Sequence, residues 1–153
     1  CVANMIDLEK PPRTEVQLQI ALEPLSAIEN FDALAQEHWD DFDNPQPSFR
    51  KEILERASAV VARVNGVPVG YILFIVNQSP FYNELWCTVG MYFIQRKYRG
   101  RSIGTKMFNY LENVAKHTGC SKIQSSYNLK QPLAEFYQKR GYKTTHHAVC
   151  KEV

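Results

Sequence analysis

The sequence predicts an α/β domain, a mixed and mostly antiparallel twisted sheet of about six strands flanked by helices, in the order β-α-α-β-β-β-α-β-α-β. β-rich runs crowd the middle of the chain, and two of them meet at Asn65-Gly66, the strongest short-range hairpin signal. Apolar residues spaced by three and four mark helices before and after those runs. The 153 residues hold no repeat, low-complexity tract or dividing linker, and a chain of that length buries roughly two thirds of the surface its unfolded form exposes.

Taken in order, residues 1–15 contain Pro11-Pro12 and little periodicity, so they read as an extended lead-in to a single domain over 16–153. "EVQLQIAL" is the first strand. From Ser26, the side chains of Ile28, Phe31, Leu34, Ala35, His38 or Trp39, and Phe42 share one helical face, with Ser26 and Glu29 spaced as a capping box. "DNPQPSF" then turns the chain into a short helix over 48–57. "SAVVARVNGVPVGYILFIV" reads as a hairpin, and "ELWCTVGMYFI", after the break "NQSPFYN", as a third adjacent strand. Ile103, Met107, Tyr110 or Leu111, and Val114 mark a helix of about four turns that stops near Gly119. "SKIQSSY" is a short strand, "PLAEFYQKR" a helix begun by proline, and "GYKTTHHAVC" a last strand after a glycine cap.

An apolar fraction of 44%, a charged fraction of 22% and a net charge of +2 exclude disorder and a whole-surface nucleic-acid binder, so any electrostatic device must be local. Cys1, Cys87, Cys120 and Cys150 form no CxxC pair and no metal spacing with histidine, which predicts no metal site, no disulfide framework and a reducing compartment. The longest apolar runs are about ten residues, too short to cross a bilayer. The N-terminus lacks a basic start followed by an apolar segment, so a cytoplasmic location is expected.

The local device is "YFIQRKYRGRSIGTKMFNYL". Gly100 and Gly104 mark a turn between a strand and a helix, among Arg96, Lys97, Arg99 and Arg101, and no acid occurs from Leu85 to Leu111. Such a turn aims unpaired backbone N–H groups at one point, as phosphate binding needs. A solvated charge run is the other reading; the coincidence of glycine turn, helix start and missing acids points to an anion. Neither GxGxxG nor GxxxxGK[ST] is present.

Arg99-Gly100-Arg101-Ser102-Ile103-Gly104, preceded by "YFIQRKY" and followed by an apolar helix, resembles the coenzyme A signature [QR]xxGx[GA] of the GNAT family of N-acetyltransferases. "LAEFYQKRGYK", from Leu133 to Lys143, is similar to that family's C-terminal motif, in which a helix ending in tyrosine leads through Gly-Phe into a strand. Element order extends the resemblance from about 16 to 150. It implies the acyl-CoA N-acyltransferase fold, acetyl-coenzyme A as donor, and a primary amine as acceptor: a protein lysine or N-terminus, a polyamine or another small cationic amine. It also implies that the backbone of Arg99, Gly100, Arg101, Ser102, Ile103, Gly104 and Thr105 holds the pyrophosphate. Tyr92, Phe93 and Ile94 would lie on a strand splayed from "KIQSSY", with backbone groups of Tyr92 and Ile94 meeting the acetyl carbonyl and pantetheine. Tyr137 matches the tyrosine that protonates the departing thiolate, and an ordinary tyrosine pKa of about 10 keeps that hydroxyl protonated at neutral pH.

The chain departs from the family pattern at Ser102, which stands where a glycine is usual, and at Lys130, which stands where an asparagine is frequent, with Asn128 two positions away. Few residues follow Gly141, so the usual terminal strand pair reduces to one strand and leaves an edge or a contact for a second copy.

On the acceptor side, Glu84 is the first candidate for base, directly or through water, and also reads as a solvated acid. Tyr82 and His38 are further candidates, although His38 beside Trp39 on an apolar face also reads as a packing residue. Between Glu23 and Asp43 the acids Glu29, Asp32, Glu37, Asp40 and Asp41 meet no Lys or Arg. They are either a solubilising face or, at Asp40, Asp41 and Asp43 beside Trp39, an attractor for a cationic amine. Phe81, Tyr82 and Trp86 either line an acceptor pocket or cover the sheet. His146 and His147 point oppositely in a strand, and Cys87 and Cys120 read as packing residues. Two other classes compete: a non-catalytic acyl-coenzyme A binding regulator, and a nucleic-acid module built on Arg96 to Lys106. The acidic first helix and the lack of a reading motif weigh against the latter.

Overall fold

A computed structural model describes residues 17–41, 55–127 and 133–153. Its sheet holds β1 (Leu18–Glu23), β2 (Ser58–Val64), β3 (Val67–Gln78), β4 (Leu85–Ile94) and β5 (Cys120–Ser125), adjacent in chain order. The first four strands are antiparallel, and β5 runs parallel to β4. A parallel pair needs a crossover; here it is the helix α2 (Ile103–Thr118). The β2–β3 turn forms at Asn65-Gly66 with φ of 50° and 80°, the two left-handed residues of a hairpin turn.

β2 and β3 are buried on both faces, which is why their sequences are almost continuously apolar. Helix α1 (Phe31–Asp40) covers one face, where Ile28 and Leu34 pack with Val61, Tyr71, Leu73 and Phe93. Helices α2 and α3 (Ala134–Lys139) cover the other, where Met107, Phe108, Leu111 and Tyr137 meet Val60, Ile72 and Cys87. At the end of α3 the Tyr142 N–H bonds the Tyr137 carbonyl and the Gly141 N–H bonds the Gln138 carbonyl, both at 3.0 Å. This double closure stops the helix one turn after Tyr137.

The structure corrects the expected elements in two places. The first helix begins at Phe31, and the capping box expected at Ser26 and Glu29 does not form. Pro24 instead starts a 3-10 turn over Leu25–Ala27, and the Glu29 carboxylate is taken by Arg63 Nη1 at 3.1 Å, a partner 34 residues away. The strand expected over 141–150 is absent: residues 143–153 are exposed and without regular structure, so the described sheet has five strands. Lys143-Thr144-Thr145-His146-His147 offers no apolar alternation with which to cover either face of a sheet. The expected lead-in over 1–15, most of the helix over 48–57, and Asp43, Asn128 and Lys130 lie outside the described residues.

Candidate active site

β4 changes partners along its length. It pairs with β3 from Leu85 to Ile94 but with β5 only from Leu85 to Val89. The register with β3 skips Gly90, since Phe74 faces Val89 and Leu73 faces Met91, and a bulge of this kind bends a strand. Beyond Val89 the two parallel strands therefore part. Gln95 N–H reaches back to the Val69 carbonyl at 2.9 Å, on the β3 side. Backbone groups alternate along an antiparallel strand, so Phe93 also faces β3 while Tyr92 and Ile94 present theirs to the gap. The Ile94 carbonyl there accepts Arg99 Nε at 2.8 Å.

This gap opens into a cleft of about 500 Å³ whose walls include Tyr92, Phe93, Ile94, Arg99, Gly100, Ser102, Ile103, Gly104 and Thr105. A volume of that size suits a small organic ligand. The backbone is left-handed at Gly100 (φ 76°) and at Ser102 (φ 61°), immediately before α2. Ser102 is the helix N-cap, yet its hydroxyl makes no capping bond. The first N–H groups of α2 have no intrahelical acceptor, and the positive end of the helix dipole adds to their pull on an anion. Gly104 has a different reason for being glycine: a Cβ there would overlap the Tyr92 hydroxyl. The aromatic floor of the cleft thus rises directly against the helix start.

Ser102 carries the cost of a left-handed conformation, about 1–2 kcal/mol for a residue with a side chain. Ser102→Gly removes it but adds flexibility to the unfolded chain, so a net stabilisation of about 0.5–1 kcal/mol is expected. Thermal melts check this.

Tyr137 lies at the fork of the parting strands. Its hydroxyl is 2.7 Å from Ser125 Oγ, and Ser125 is the residue of β5 that faces Val89 on the last rung of the β4–β5 ladder. Tyr127 stacks on the Tyr137 ring at 5.7 Å, while Phe108 and Tyr142 meet it edge-on at 5.6 and 5.2 Å. Burial raises its pKa, partly offset by the Ser125 hydrogen bond, so the group stays protonated through the neutral range. Arg140 braces the helix that carries it, bonding Asn109 at 2.7 Å and Glu112 at 2.9 Å on α2.

A model of the acetyltransferase (GNAT) family matches residues 26–142, about three quarters of the 153-residue chain. The chain belongs to the GNAT family. Its fold is similar to that of a ribosomal-protein-alanine N-acetyltransferase from Brucella melitensis biovar Abortus 2308, with a TM-score of 0.73 at 19% identity, covering 90% of this chain and 99% of that one. It is equally similar to a putative acetyl transferase from Pyrococcus furiosus, with a TM-score of 0.73 at 20% identity over 90% and 100% of the two chains. An aminoglycoside N-acetyltransferase in complex with CoA is a third such structure, with a TM-score of 0.73 at 15% identity over 94% and 98%. No curated protein matches the chain in sequence.

Within this GNAT fold, α1 supplies the remaining wall. His38 and Asp41 line the cleft, while Trp39 is half-buried beside them and Asp40, exposed, accepts from Gln36 at 3.0 Å. Asp41 accepts from Arg99 Nη2 at 2.6 Å and from Arg96 through Nε at 2.9 Å and Nη2. Glu37 adds bonds to Gln95 Nε2 at 3.0 Å and to the Arg96 N–H at 3.2 Å. The expected division between a basic loop and an acidic acceptor region is therefore bridged, with α1 clamped to the loop. Burial pushes the Asp41 carboxyl up, but the hydrogen bonds and charges of Arg99 and Arg96 outweigh it and hold it below the usual carboxylate range.

His38 shares a 2.8 Å hydrogen bond with Tyr71 and stacks on Phe93 at 4.8 Å. Burial pushes its pKa down to about 4, so the fold holds the neutral imidazole. A folded-state value below the unfolded one means stability is whole above about pH 6.5 and falls as pH drops toward 4, by about 3 kcal/mol. Urea denaturation through that window should show the loss, and His38→Gln should flatten it. Bonded to Tyr71 and stacked on Phe93, its ring packs in the cleft wall.

Glu84 stands apart. It immediately precedes β4, and Gly90, beyond which β4 and β5 are no longer paired, is six residues or about 20 Å further along. Its carboxylate accepts from Trp86 Nε1 and Ser121 Oγ, both at 3.0 Å, and these bonds lower its pKa. Tyr82 and Phe81 are exposed in the same distant loop, with Tyr82 stacked on Trp86 at 6.5 Å. Burial pushes the Cys87 thiol up to about 12, leaving no thiolate for chemistry. Among the described residues no group of His, Cys, Asp and Glu could hold a metal ion, and no helix is long and apolar enough to cross a membrane.

Ser125, Tyr127, Phe136 and Leu133 belong to the site or its support and were not singled out by their sequence. Ser125 and Tyr127 had a signal, their place in the segment expected to splay from β4; Leu133 and Phe136 line the cleft through the placement of α3.

Proposed function

We propose that this GNAT protein transfers the acetyl group of acetyl-coenzyme A to a primary amine. One observation carries the reading: the edge of β4 that β5 leaves unpaired beyond Val89 and the uncapped start of α2 line one cleft, and the Tyr137 hydroxyl bonds Ser125 where the two strands part. The chain's residues fit the coenzyme. The left-handed turn at Gly100 and Ser102 and the first N–H groups of α2 suit a pyrophosphate, and the β4 edge offers an extended pantetheine the donors and acceptors of a missing strand. The proteins of similar fold act on an alanine of a ribosomal protein and on aminoglycosides, acceptors that bear amines.

Bound acetyl-coenzyme A supplies an acetyl thioester as electrophile. The Tyr92 N–H is placed to donate to the carbonyl oxygen, where negative charge develops. The acceptor amine, entering neutral, gives its electron pair to the new N–C bond as the C–S bond breaks, and its surplus proton leaves to water. Tyr137 Oη delivers a proton to the departing sulfur and regains one from solvent, and Ser125 Oγ holds that hydroxyl in position. No carboxylate base is assigned, and Glu84 is remote from the parting of β4 and β5.

Thiol release from acetyl-coenzyme A, read with intact-mass detection across peptides, polyamines and small amines, tests the reaction and the acceptor class together. An acetylated amine with stoichiometric thiol is expected; coenzyme binding without turnover on any amine would instead favour a non-catalytic acyl-coenzyme A binding protein.

A further inference from the structure

We propose that Asp41 is a built-in counter-ion for the coenzyme-binding loop, which the phosphates of the coenzyme displace from Arg96 and Arg99 as they bind. The inference rests on the reading given under Proposed function. Asp41 is the C-cap of α1, where the negative end of the helix dipole disfavours a carboxylate. It is nevertheless held there, 13% exposed, by guanidinium groups whose own side chains are 65% and 45% exposed. The acid thus lies beneath the arginines and lines the cleft, while the arginines face solvent above it.

The segment from Leu85 to Leu111 contains no acid of its own. The negative charge in the cleft is delivered by α1, 55 and 58 residues away in sequence. Arg99 commits Nε to the Ile94 carbonyl and Nη2 to Asp41, and Arg96 commits Nε and Nη2 to Asp41. Two of the loop's cations therefore share one internal carboxylate, which offsets one of their two charges. A phosphate that recruits either one must give a stronger charge-assisted bond than the carboxylate does, and the carboxylate lowers its affinity by the strength of the ion pair that is broken. Glu37 holds the loop backbone independently, through Gln95 and the Arg96 N–H, so the loop is still anchored to α1 when Asp41 loses its charge.

Calorimetric titration of the full chain with coenzyme A tests this. Asp41→Asn should bind about tenfold more tightly than wild type, in keeping with the release of two exposed ion pairs. Pantetheine, which lacks the phosphates, should bind both proteins alike. Asp40→Asn changes the net charge equally, and Asp40 acts on Arg96 only through its field, with no bond to either arginine, so it should alter affinity no more than about twofold, which separates displacement from a general field effect. Circular dichroism verifies folding, and Asp41→Ser replaces the asparagine variant if that one does not fold. Unchanged or weaker coenzyme binding by the Asp41 variant overturns the proposal and makes Asp41 a positioning residue for the arginines. A wild-type protein that binds no coenzyme overturns this proposal and the acetyltransferase reading together; wild-type binding with no gain in the variant overturns this one alone.

Discussion

Gly104→Val is expected to destabilise the fold by about 2–3 kcal/mol and to abolish the thermal shift that coenzyme A produces in the wild type. The reason is space, because the backbone at Gly104 is ordinary helix. Any Cβ there meets the Tyr92 hydroxyl, and Tyr92 cannot easily retreat. Phe108 packs on its ring edge-on at 5.0 Å and Phe136 lies parallel at 6.1 Å. The extra volume must therefore displace either the floor of the cleft or the first turn of α2, whose N–H groups are those proposed to hold the pyrophosphate. Valine's helix propensity exceeds that of glycine by only a few tenths of a kcal/mol, too little to offset the overlap. Pairing Gly104→Ala with Tyr92→Phe removes the overlapping hydroxyl and should recover much of the stability lost by Gly104→Ala alone. A double variant no more stable than that single one would show that this contact is not the cause.

Tyr137→Phe is expected to lower kcat by about a hundredfold, with KM for acetyl-coenzyme A within about threefold of wild type. The substitution leaves the aromatic nest of Tyr127, Phe108 and Tyr142 in place and removes only the hydrogen bond to Ser125, worth about 1 kcal/mol of stability. Rate and fold should therefore separate. The raised pKa fixes the sign of the pH dependence: the hydroxyl stays a donor until pH rises past its ordinary value of about 10, and the activity that depends on it is lost only above that. Steady-state kinetics from neutral to alkaline pH checks both points. A variant that keeps a third or more of wild-type kcat would remove Tyr137 from the proton transfer.

Much of this was legible in the sequence because the signals are local. Asn65-Gly66 specifies its turn through the conformations those residues tolerate, α2 runs as its apolar spacing requires, "RGRSIG" makes the left-handed turn into that helix, and "LAEFYQKRGY" holds the short helix α3. What stayed hidden depends on contacts between distant residues. Glu29 has the spacing of a cap, but Arg63 from β2 takes it, so the helix starts later. Asp41 counted as an acceptor-side acid until the fold brought Arg96 and Arg99 beside it. Glu84 was attractive as an acid at a strand start, yet only the register with β5 reveals that β4 opens six residues further on. Ser102 departs from the usual glycine and still takes the left-handed conformation, so the turn survives the substitution at some cost in stability.

The most direct test of the central claim is the melting temperature with and without coenzyme A. At a concentration about a hundred times the dissociation constant, binding to the folded chain alone adds about 2.7 kcal/mol, which raises the melting point of a domain this size by about 5–10 °C. That rise, lost in Gly104→Val, is the predicted result; a melting curve unchanged by millimolar coenzyme would contradict the account.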